Sequence, residues 1–304
     1  MAYDVSQLPA YVEQQNFPLL RKAIFGAKTA SLLTKQTGVK GSSTLNIFDT
    51  SVTFQTQNCG FNPVDTTSLT QRTIVVGRIQ VDNSWCPLTL NGYYIQSQLN
   101  KGSDNETIPF EQEFTGLYTD EINAQIETAL WQGDTNSSNA NLNKFDGFIK
   151  IISGCTGAIS GNTGNVTGIT SANVIAVVDA IYEQIPTSIL QRPDTRIFMG
   201  FDIFRLYATA LRNANYFNYF KNGVGADYEI VIPGTNISVI ALNGLNGTGH
   251  IYASNLSNLY MGVDLEGEED QIKFWWSNDF QQVRANTRFK VGVQVAFCEQ
   301  VVYF

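Results

Sequence analysis

The stretch from Pro109 to Trp131, PFEQEFTGLYTDEINAQIETALW, constrains the fold more than any other part of this 304-residue chain. Its apolar residues recur every three or four positions, a spacing that places them on one stripe of an α-helix. The stripe consists of Phe110, Phe114, Leu117, Tyr118, Ile122, Ile126 and Leu130. Polar residues on the opposite face are Glu113, Asp120, Asn123 and Glu127. At about 1.5 Å per residue such a helix is about 35 Å long, so the sequence predicts one stiff rod.

Both ends of this helix carry local signals. The Thr107 hydroxyl can cap free amides, Pro109 fits a first turn, and Glu111 suits the positive end of a helix. At the other end Gly133 is a candidate for a left-handed residue that stops the helix before the polar run TNSSNANLN. We therefore expect the helix to span 109–131.

Strand-like sequence precedes the helix. Between Gly41 and Trp85 apolar and polar residues alternate, and the centre, NCGFNP, has turn chemistry. The pattern predicts a long two-stranded loop, and we expect a short helix to follow it within residues 87–100. Because an isolated hairpin is only marginally stable in water, this loop needs a surface to lie on. That surface belongs either to its own domain or to a neighbouring subunit, and the sequence leaves both open.

Helices and strands alternate after the rod. Residues 141–152 are expected to form a strand or tight turn that bends at Gly147, and residues 153–170 form an exposed loop. A second helix, capped by Thr170 or Ser171, ends before Pro186. A strand and a third helix follow at Arg196–Gly200 and Phe201–Asn213, and the remaining sequence is almost all strand. This order predicts an α+β chain.

The charge balance limits the function classes. The net charge is -8, only 15% of residues are charged and 12% are aromatic, a profile of a folded protein with a lightly charged surface. Phosphate contacts require clustered Lys and Arg, so the chain is not a simple nucleic-acid binder. Residues 1–40 are locally basic and include Arg21 and Lys22. This arm presents either a solvated helix face or a contact for an acidic partner surface.

Cysteine and histidine usage excludes a Cys/His metal site. The four cysteines, Cys59, Cys86, Cys155 and Cys298, are far apart in the sequence, and His250 is the one histidine. We expect reduced thiols in a cytoplasm. The N-terminal residues do not resemble a signal peptide, and no run of about 18 apolar residues is long enough to cross a membrane.

The densest acidic segment is DLEGEED. Its residues Asp264, Glu266, Glu268 and Asp270 alternate like oxygen ligands of a hard cation, but their spacing differs from that of a calcium-binding loop. Three interpretations stand: a solvated hairpin turn, which we favour, a docking site for a neighbour's basic arm, and a weak cation site. The adjacent Trp275 and Trp276 are expected in the core of a sheet rather than on a nucleotide-stacking surface.

The sequence offers no catalytic constellation. A hydrolase needs a nucleophile and a general base, most often histidine, but His250 lies at an ordinary turn into a strand. The glycine-rich loop at residues 153–170 lacks the Gly-Lys-Ser/Thr ending of a phosphate-binding loop. We therefore predict a protein that is not an enzyme and needs no cofactor.

Several blocks resemble the major capsid proteins of tailed bacteriophages. IETALWQGD at Ile126–Asp134, followed by FDGF at Phe145–Phe148, is similar to the end of their spine helix. Ile185–Leu211 resembles the helix, strand and helix of their axial domain. Asn258–Asp270 and Arg288–Phe304 resemble their C-terminal strands. The likeness covers most of the chain from about Gly41 onward, and it is nearest in character to phages of Bacteroidetes, including crAss-like phages.

The resemblance implies a Hong Kong 97-like fold. Its parts would be an N-terminal arm (1–40), an extended loop (41–86), a peripheral domain (87–150) with a spine helix (109–131), an axial domain (151–256) and a return to the peripheral strands (257–304). It also implies self-assembly into pentamers and hexamers of an icosahedral head around double-stranded DNA. Implied partners are the portal, possible scaffold or decoration proteins, and the DNA, which is contacted without sequence specificity. The protein would be made and assembled in the bacterial cytoplasm, reside in the virion and contact no membrane.

The chain departs from some members of that family. With about 40 residues before the extended loop, a scaffold must be separate or absent. The stretch from Gly41 to Asn100 contains no lysine, so the covalent lysine–asparagine cross-link of some relatives is not expected. Non-covalent contacts should hold the shell instead. Candidates for pairing between subunits are the charged residues of the loop, Asp49, Asp65, Arg72, Arg78 and Asp82, together with Arg21 and Lys22.

Three other functions compete with a phage head. An encapsulin-type shell has the same fold but carries an enzyme instead of a genome. A β-rich surface or adhesion module would explain the abundance of Asn, Thr and Gly, but it would require export. An enzyme with an unrecognised pair of carboxylates is the third, and it would require acidic residues to converge in a pocket.

Overall fold

The structure is a computed structural model that describes residues 27–50, 52–57, 59–60, 64, 67–86, 110–214, 228–264 and 271–304. For residues 49, 50, 68, 110–114 and 271 the description covers the backbone alone. Some predictions therefore lie outside the described residues. These concern the helix start at Thr107 and Pro109, the short helix within 87–100, and the side chains Arg21, Lys22, Asp49, Asp65, Glu266, Glu268 and Asp270.

The described helices and strands follow the predicted α+β order. The α-helices are α1 (Lys28–Leu32), α2 (Phe110–Gln132), α3 (Phe148–Ser153), α4 (Val174–Gln184), α5 (Thr187–Leu190) and α6 (Phe201–Asn213). The strands before α4 are β1 (Thr34–Gln36), β2 (Ser42–Thr50), β3 (Thr67–Val75), β4 (Gly77–Trp85) and β5 (Ile159–Ser160). The later strands are β6 (Thr195–Gly200), β7 (Glu229–Val231), β8 (Ser238–Leu242), β9 (Ile251–Asn255), β10 (Leu259–Val263), β11 (Gln271–Ser277), β12 (Gln282–Val295) and β13 (Val302–Tyr303).

Helix α2 confirms the predicted rod and most of its apolar stripe. Tyr118, Ile122, Ile126 and Leu130 are all buried, because they face a sheet. Two side chains depart from the helical pattern. Leu117 is 68% exposed, and Glu127, which was predicted on the solvated face, is buried. Burial of Glu127 results from tertiary contacts that the spacing along one helix cannot reveal.

The sheet beneath α2 has five strands in the order β1-β10-β12-β11, with β4 paired to the other edge of β12. Side chains alternate between the two faces of a strand. The face of β12 that packs towards α2 carries buried side chains such as Val283, Thr287 and Phe289. The Tyr118 hydroxyl lies 3.0 Å from the Thr287 hydroxyl, and the ring of Phe274 lies 5.7 Å from the Tyr118 ring. The opposite face of the sheet is not covered by α2.

A second sheet has six strands in the order β5-β13-β9-β6-β8-β7. Helices α4 and α6 contribute to its core through residues such as Val178, Ile181 and Tyr207. The core beneath α2 extends onto one face of this sheet at Trp131, the penultimate residue of α2, whose ring centroid lies 5.8 Å from Phe198 and 5.6 Å from Tyr252. The end of the rod thus packs against the second sheet.

Strands β2 and β3 form an antiparallel hairpin with nine residue pairs, from Ser42–Val75 to Thr50–Thr67. The stretch predicted to be two-stranded therefore contains a third strand, β4, and the assignment of 41–86 as an extended loop stays a prediction. β4 leaves the hairpin and pairs with β12 from Val283 to Val291. Alternation alone could not distinguish β4 from the hairpin strands, because all of these strands have the same period of two.

Three local predictions are wrong. Phe148–Ser153 is a helix rather than a strand or turn, because a short apolar run such as FIKII fits either. Gly133 does not have the positive φ expected of a left-handed stop. Instead, a Cβ there would lie 2.6 Å from the carbonyl oxygens of Ala129 and Phe145, so glycine permits close backbone contact. The residue at the N-cap position of α4 is Asn173 rather than Thr170 or Ser171, and its side chain makes no capping bond to the helix; its Oδ1 accepts a hydrogen bond from the preceding Thr170 amide at 2.7 Å.

The C-terminal segment brings two further corrections. Cys155 and Cys298 form a disulfide with their Cα atoms 5.7 Å apart, so these thiols are not reduced. A sequence separation of 143 residues concealed their proximity. The last strand, β13, pairs with β9 and β5 in the six-stranded sheet rather than in the sheet beneath α2. The predicted return at 257–304 therefore reaches both sheets.

Candidate interaction surfaces

The base of the β2–β3 hairpin crosses the uncovered face of the five-stranded sheet over a pair of glycines. Gly262 of β10 and Gly292 of β12 are cross-strand partners. A Cβ at Gly262 would lie 2.8 Å from Ile74 Cγ2, and a Cβ at Gly292 would overlap the Val75 carbonyl. Because Gly262 and Gly292 have no side chains, the backbone of residues 74–76 can lie directly on the sheet at this point. Ile74 is fully buried there.

Polar contacts also fix the hairpin base. Arg72 Nη1 donates to the Val295 carbonyl at 2.8 Å and contacts Cys155 Sγ at 3.3 Å. Burial lowers the pKa of the Arg72 guanidinium. The Gln294 side-chain amide donates to the Thr73 carbonyl at 2.7 Å. Arg72, predicted as a contact between subunits, is thus engaged within its own subunit, and a role across an interface stays a prediction.

The far end of the hairpin is exposed and apolar. Phe54 is 98% exposed and Phe48 is 70% exposed. Val52, Val64 and Leu69 are also more than half exposed. We call the described residues between 48 and 69 the hairpin tip. Scattered exposed apolar residues are ordinary, but several on one projecting element are typical of an interaction surface.

Beside the hairpin base the same face of the sheet is open and basic. Lys273 and Trp275 of β11 register with Asn286 and Arg284 of β12, which in turn register with Asp82 and Ser84 of β4. Cross-strand partners project from the same face of a sheet. They surround a shallow cavity of about 790 Å³. We call this surface the basic face; it consists of Arg78, Gln80, Asp82, Ser84, Lys273, Trp275, Arg284, Asn286 and Arg288.

The one carboxylate of the basic face is already engaged. Asp82 accepts hydrogen bonds from the side-chain amides of Asn286 and Gln80. The Asn286 bond, followed by the Gln80 bond, lowers the pKa of Asp82. Arg78 and Asp82, both predicted contact candidates, therefore lie on one strand of one face, and Arg72 lies apart from them at the hairpin base. Their roles between subunits remain predictions.

Aromatic side chains border the basic face. Trp275 and Trp276 are 41% and 37% exposed, so the prediction that both lie in the core of the sheet is wrong. Ile272 and Phe274 are buried and lie, with Trp276, on the opposite face of β11 from Trp275. The Arg284 guanidinium stacks on the exposed ring of Phe280, with its carbon 4.4 Å from the ring centroid.

Asp264, the first residue of the predicted cation candidate, is not on a solvated turn. Its carboxylate is 1% exposed, and Oδ2 pairs with Lys290 Nζ at 3.0 Å. The candidate's other members lie outside the described residues. Where the chain is described, no three His, Cys, Asp or Glu residues are grouped as metal ligands would be. The partner of Asp264 is Lys290, which lies on β12. The spacing of residues within the acidic segment could not reveal this partner.

A buried carboxylate that sequence reasoning missed anchors α1 to α2. Glu127 Oε2 accepts the Thr29 amide at 2.9 Å, and Oε1 accepts the Thr29 hydroxyl at 2.5 Å. The Trp131 indole N–H donates to the same hydroxyl at 2.9 Å. Burial raises the pKa of Glu127 against the opposing effect of these hydrogen bonds. We call these three residues the α1 anchor; nothing in the sequence distinguishes its glutamate from a solvated one.

His250 sits at the predicted strand edge, with Nδ1 2.9 Å from the Phe304 carbonyl oxygen. Among the helices described, none is long and apolar enough to cross a membrane. The two surfaces described above are thus an exposed apolar hairpin tip and a basic sheet face.

Comparisons with known proteins identify the fold. No protein-family model and no curated protein sequence matches the chain. Solved structures do match. A chain of the satellite phage P4 procapsid, a structure that includes the size-determination protein Sid, is 12% identical with a TM-score of 0.63, covering 94% of this chain and 89% of its own.

Two further capsids are similar over nearly the same length. A chain of the capsid of an empty GTA particle is 12% identical with a TM-score of 0.55, over 91% of this chain and 88% of its own. A chain of the capsid of cyanophage P-SCSP1u is 12% identical with a TM-score of 0.52, over 90% of this chain and 85% of its own. At such low identity the likeness establishes the fold, and the chain has the fold of these phage-type capsid chains.

Proposed function

We propose that this protein is the structural subunit of a phage head. Copies assemble into pentamers and hexamers of an icosahedral shell around double-stranded DNA, and the subunit has no catalytic role. The observation that carries the proposal is the hairpin, which is fixed at its base and carries an exposed apolar tip. The similarity to capsid chains over about nine-tenths of the chain supports it.

Energetics favour an assembled state for such a subunit. Burial of apolar surface contributes roughly 25 cal/mol per Å², so an exposed Phe54 or Phe48 gains from a partner that covers it. Permanent interfaces bury on the order of 2,000 Å² or more and are rich in apolar contacts. The hairpin tip supplies one such contact per subunit, and a closed shell repeats it many times.

The predicted division of a Hong Kong 97-type subunit fits this proposal. The five-stranded sheet with α2 would form the peripheral domain, and the six-stranded sheet with α4 and α6 the axial domain. The hairpin would be the extended loop. The subunit would be made in the bacterial cytoplasm, and its partners would be other copies, the portal, any scaffold or decoration proteins, and packaged DNA held without sequence specificity.

Shortening the hairpin tests the proposal. Replacement of residues 52–66 by a short Gly-Ser turn removes Val52, Phe54 and Val64 from the tip and leaves the paired strands β2 and β3. Circular dichroism and thermal unfolding should match those of the wild-type chain, while light scattering and electron microscopy should show that large assemblies are lost. Normal particles from the shortened chain would refute the bridging role. Enzyme cargo in wild-type particles, in place of DNA, would favour an encapsulin-type shell.

A further inference from the structure

The disulfide between Cys155 and Cys298 lies at the junction of the two sheets, and the proposed function does not account for it. We propose that this pair is a redox latch. Both residues are thiols while the subunit is made in a reducing cytoplasm, and their oxidation after the particle leaves the cell fixes the junction. The inference rests on the proposed function, because it assumes a shell that is built inside a cell and then released.

Each cysteine lies where the chain crosses from one sheet to the other. Cys155 follows α3, whose Phe148 and Ile152 pack in the core beneath α2. The next strand after Cys155 is β5, at one edge of the six-stranded sheet. Cys298 follows β12 of the five-stranded sheet and precedes β13 of the six-stranded sheet. The bond therefore joins two separate connections between the same pair of sheets.

Backbone pairing beside the cysteines holds them close to each other. The Ile159 amide donates to the Val301 carbonyl at 2.9 Å, and Val302 of β13 registers with Ile159 of β5. The Cα atoms of Cys155 and Cys298 lie 5.7 Å apart, within the usual range for a disulfide. Folding thus brings together two thiols that are 143 residues apart in the sequence. Their oxidation requires no rearrangement of the backbone.

A cation lies beside one of the two sulfurs. Arg72 Nη1 is 3.3 Å from Cys155 Sγ and donates to the Val295 carbonyl at 2.8 Å. A neighbouring cation stabilises the thiolate, which is the form of cysteine that attacks a disulfide. Exposed residues, Gly154 and Thr156, flank Cys155, so a small reagent can approach it from the surface. Cys155 is therefore the attacking thiolate, and Arg72 connects the pair to the hairpin base.

The oxidant is a small-molecule disulfide such as oxidised glutathione. The Cys155 thiolate attacks one of its sulfurs, the S–S bond of the small molecule breaks, and one thiolate leaves. The Cys298 thiolate then attacks Cys155 Sγ and displaces the second thiolate. In total the protein gives up two protons and two electrons, and the small-molecule disulfide is reduced to two thiols. Disulfides are rare in a reducing cytoplasm and persist outside cells, so the direction of exchange changes when the particle is released.

The melting temperature of the chain in its two redox states tests the latch. The reference chain carries Cys59→Ser, which removes an exposed thiol that forms no disulfide. Treated with oxidised glutathione, it should melt at least about 5 °C higher than after reduction with dithiothreitol, because the bond closes a long segment. The same chain with Cys155→Ala and Cys298→Ala should melt at one temperature in both conditions. Equal redox effects in the two chains, or none in the reference chain, would overturn the inference.

Trapping of thiols in cells tests when the bond forms. Cells that express the reference chain are quenched with acid, and free thiols are alkylated in denaturant and located by peptide mass spectrometry. Cys155 and Cys298 should both be alkylated. After lysis and treatment with oxidised glutathione, both should be protected from alkylation. A pair already bonded in the reducing cytoplasm would be a permanent structural bond, and a pair that stays reactive after oxidation would equally refute the latch.

The pH dependence of oxidation tests the part of Arg72. In Arg72→Gln the reduced chain should form the bond about threefold or more slowly near neutral pH. The difference should disappear at alkaline pH, where thiolates form without a neighbouring cation. Arg205→Gln, at an exposed position of α6, is the matched control and should oxidise at the reference rate throughout. A deficit in Arg72→Gln that persists at alkaline pH would contradict the activating role.

The outcomes separate the latch from the proposed function. If particles assemble but neither thermal stability nor alkylation depends on redox state, the latch is wrong and the shell function stands. If the chain shows the redox dependence but never assembles, the exchange chemistry holds while the proposed function is contradicted, and with it the timing by release of a particle.

Discussion

The hairpin and helix α1 are attached to the body of the subunit by opposite kinds of chemistry. The hairpin base is held by apolar and backbone packing, with Ile74 buried over Gly262 and Gly292. Helix α1 is held by a buried carboxylate, Glu127, which binds the amide and hydroxyl of Thr29. The apolar residues that pack at the hairpin base have no titratable side chain, whereas Glu127 has one. The two attachments should therefore respond differently to truncation of side chains and to pH.

The difference follows from what each attachment must exclude from water. A buried methyl group costs nothing to desolvate, so the apolar part of the hairpin base depends on fit alone. A buried carboxylate has lost its hydration, and the donors around it must replace that hydration. The groups around Glu127 are Thr29, the Gly244 backbone amide and, at longer range, the charge of Lys28. The raised pKa shows that burial outweighs them.

The largest expected loss of stability comes from truncation of the hairpin base. Ile74→Ala should lower the free energy of unfolding by about 2–5 kcal/mol, because it leaves a cavity at a fully buried site. Urea unfolding followed by circular dichroism measures the change. Val75→Ala is the matched control, since the adjacent side chain is 62% exposed and its loss should cost less than about 0.5 kcal/mol. Equal losses at both positions would show that the base is not packed as described.

Overpacking the glycine crossing should cost somewhat less. Gly292→Ala places a Cβ against the Val75 carbonyl, and the hairpin must shift to accept it. The expected loss is about 1–3 kcal/mol. Gly41→Ala serves as the control, because a Cβ at Gly41 meets nothing within 4 Å. A neutral effect of Gly292→Ala would mean that the hairpin does not lie on the sheet at this point.

The α1 anchor should show a pH dependence that the hairpin base lacks. Because the pKa of Glu127 is raised on folding, the folded state binds its proton more tightly than the unfolded state does. Its contribution to stability is therefore greatest below the ordinary pKa of glutamate and falls as pH rises through the raised value.

Hydrogen exchange of the Thr29 amide, corrected for intrinsic rates, measures this dependence. Protection should increase towards acid pH in the wild-type chain and become independent of pH in Glu127→Gln. The amides of β3 at the hairpin base provide the internal reference. Protection at Thr29 that does not change with pH in the wild-type chain would contradict the assigned role of Glu127.

The smallest effect on subunit stability is expected at the hairpin tip. Phe54→Ser removes a side chain that is 98% exposed, so the free energy of unfolding should change by less than about 0.5 kcal/mol. Assembly measured by light scattering should nevertheless fall strongly, because the tip is proposed to contact another subunit. A large loss of stability in the isolated subunit would mean that Phe54 packs in the core of that subunit. Phe54 would then not differ from the buried Ile74.

Local patterns predicted the parts of the fold that depend on local spacing. The apolar stripe located α2, and alternation located the hairpin strands, because each pattern reflects the geometry of one element. Glu127, the Cys155–Cys298 bond and the Gly262–Gly292 pair were missed for a common reason. Each acquires its role from a partner distant in sequence, and no spacing within one element records that partner.

The candidate surfaces show the same limit. Arg78 and Asp82 were singled out as charged residues of a loop, and they lie on one strand of the basic face. Arg284 and Arg288, which complete that face, were not singled out, because only the pairing of β12 with β4 and β11 brings them there. Trp275 was assigned to the core because strand sequence alone does not tell which face is covered.

The most direct test of the account is sedimentation velocity with electron microscopy on the purified wild-type chain, over a range of protein and salt concentrations. The account predicts rings, sheets or closed shells that form cooperatively as concentration rises, with hairpins bridging adjacent subunits. A chain that remains a monomer at every concentration and salt condition would contradict the claim that this subunit assembles itself through its hairpin tip.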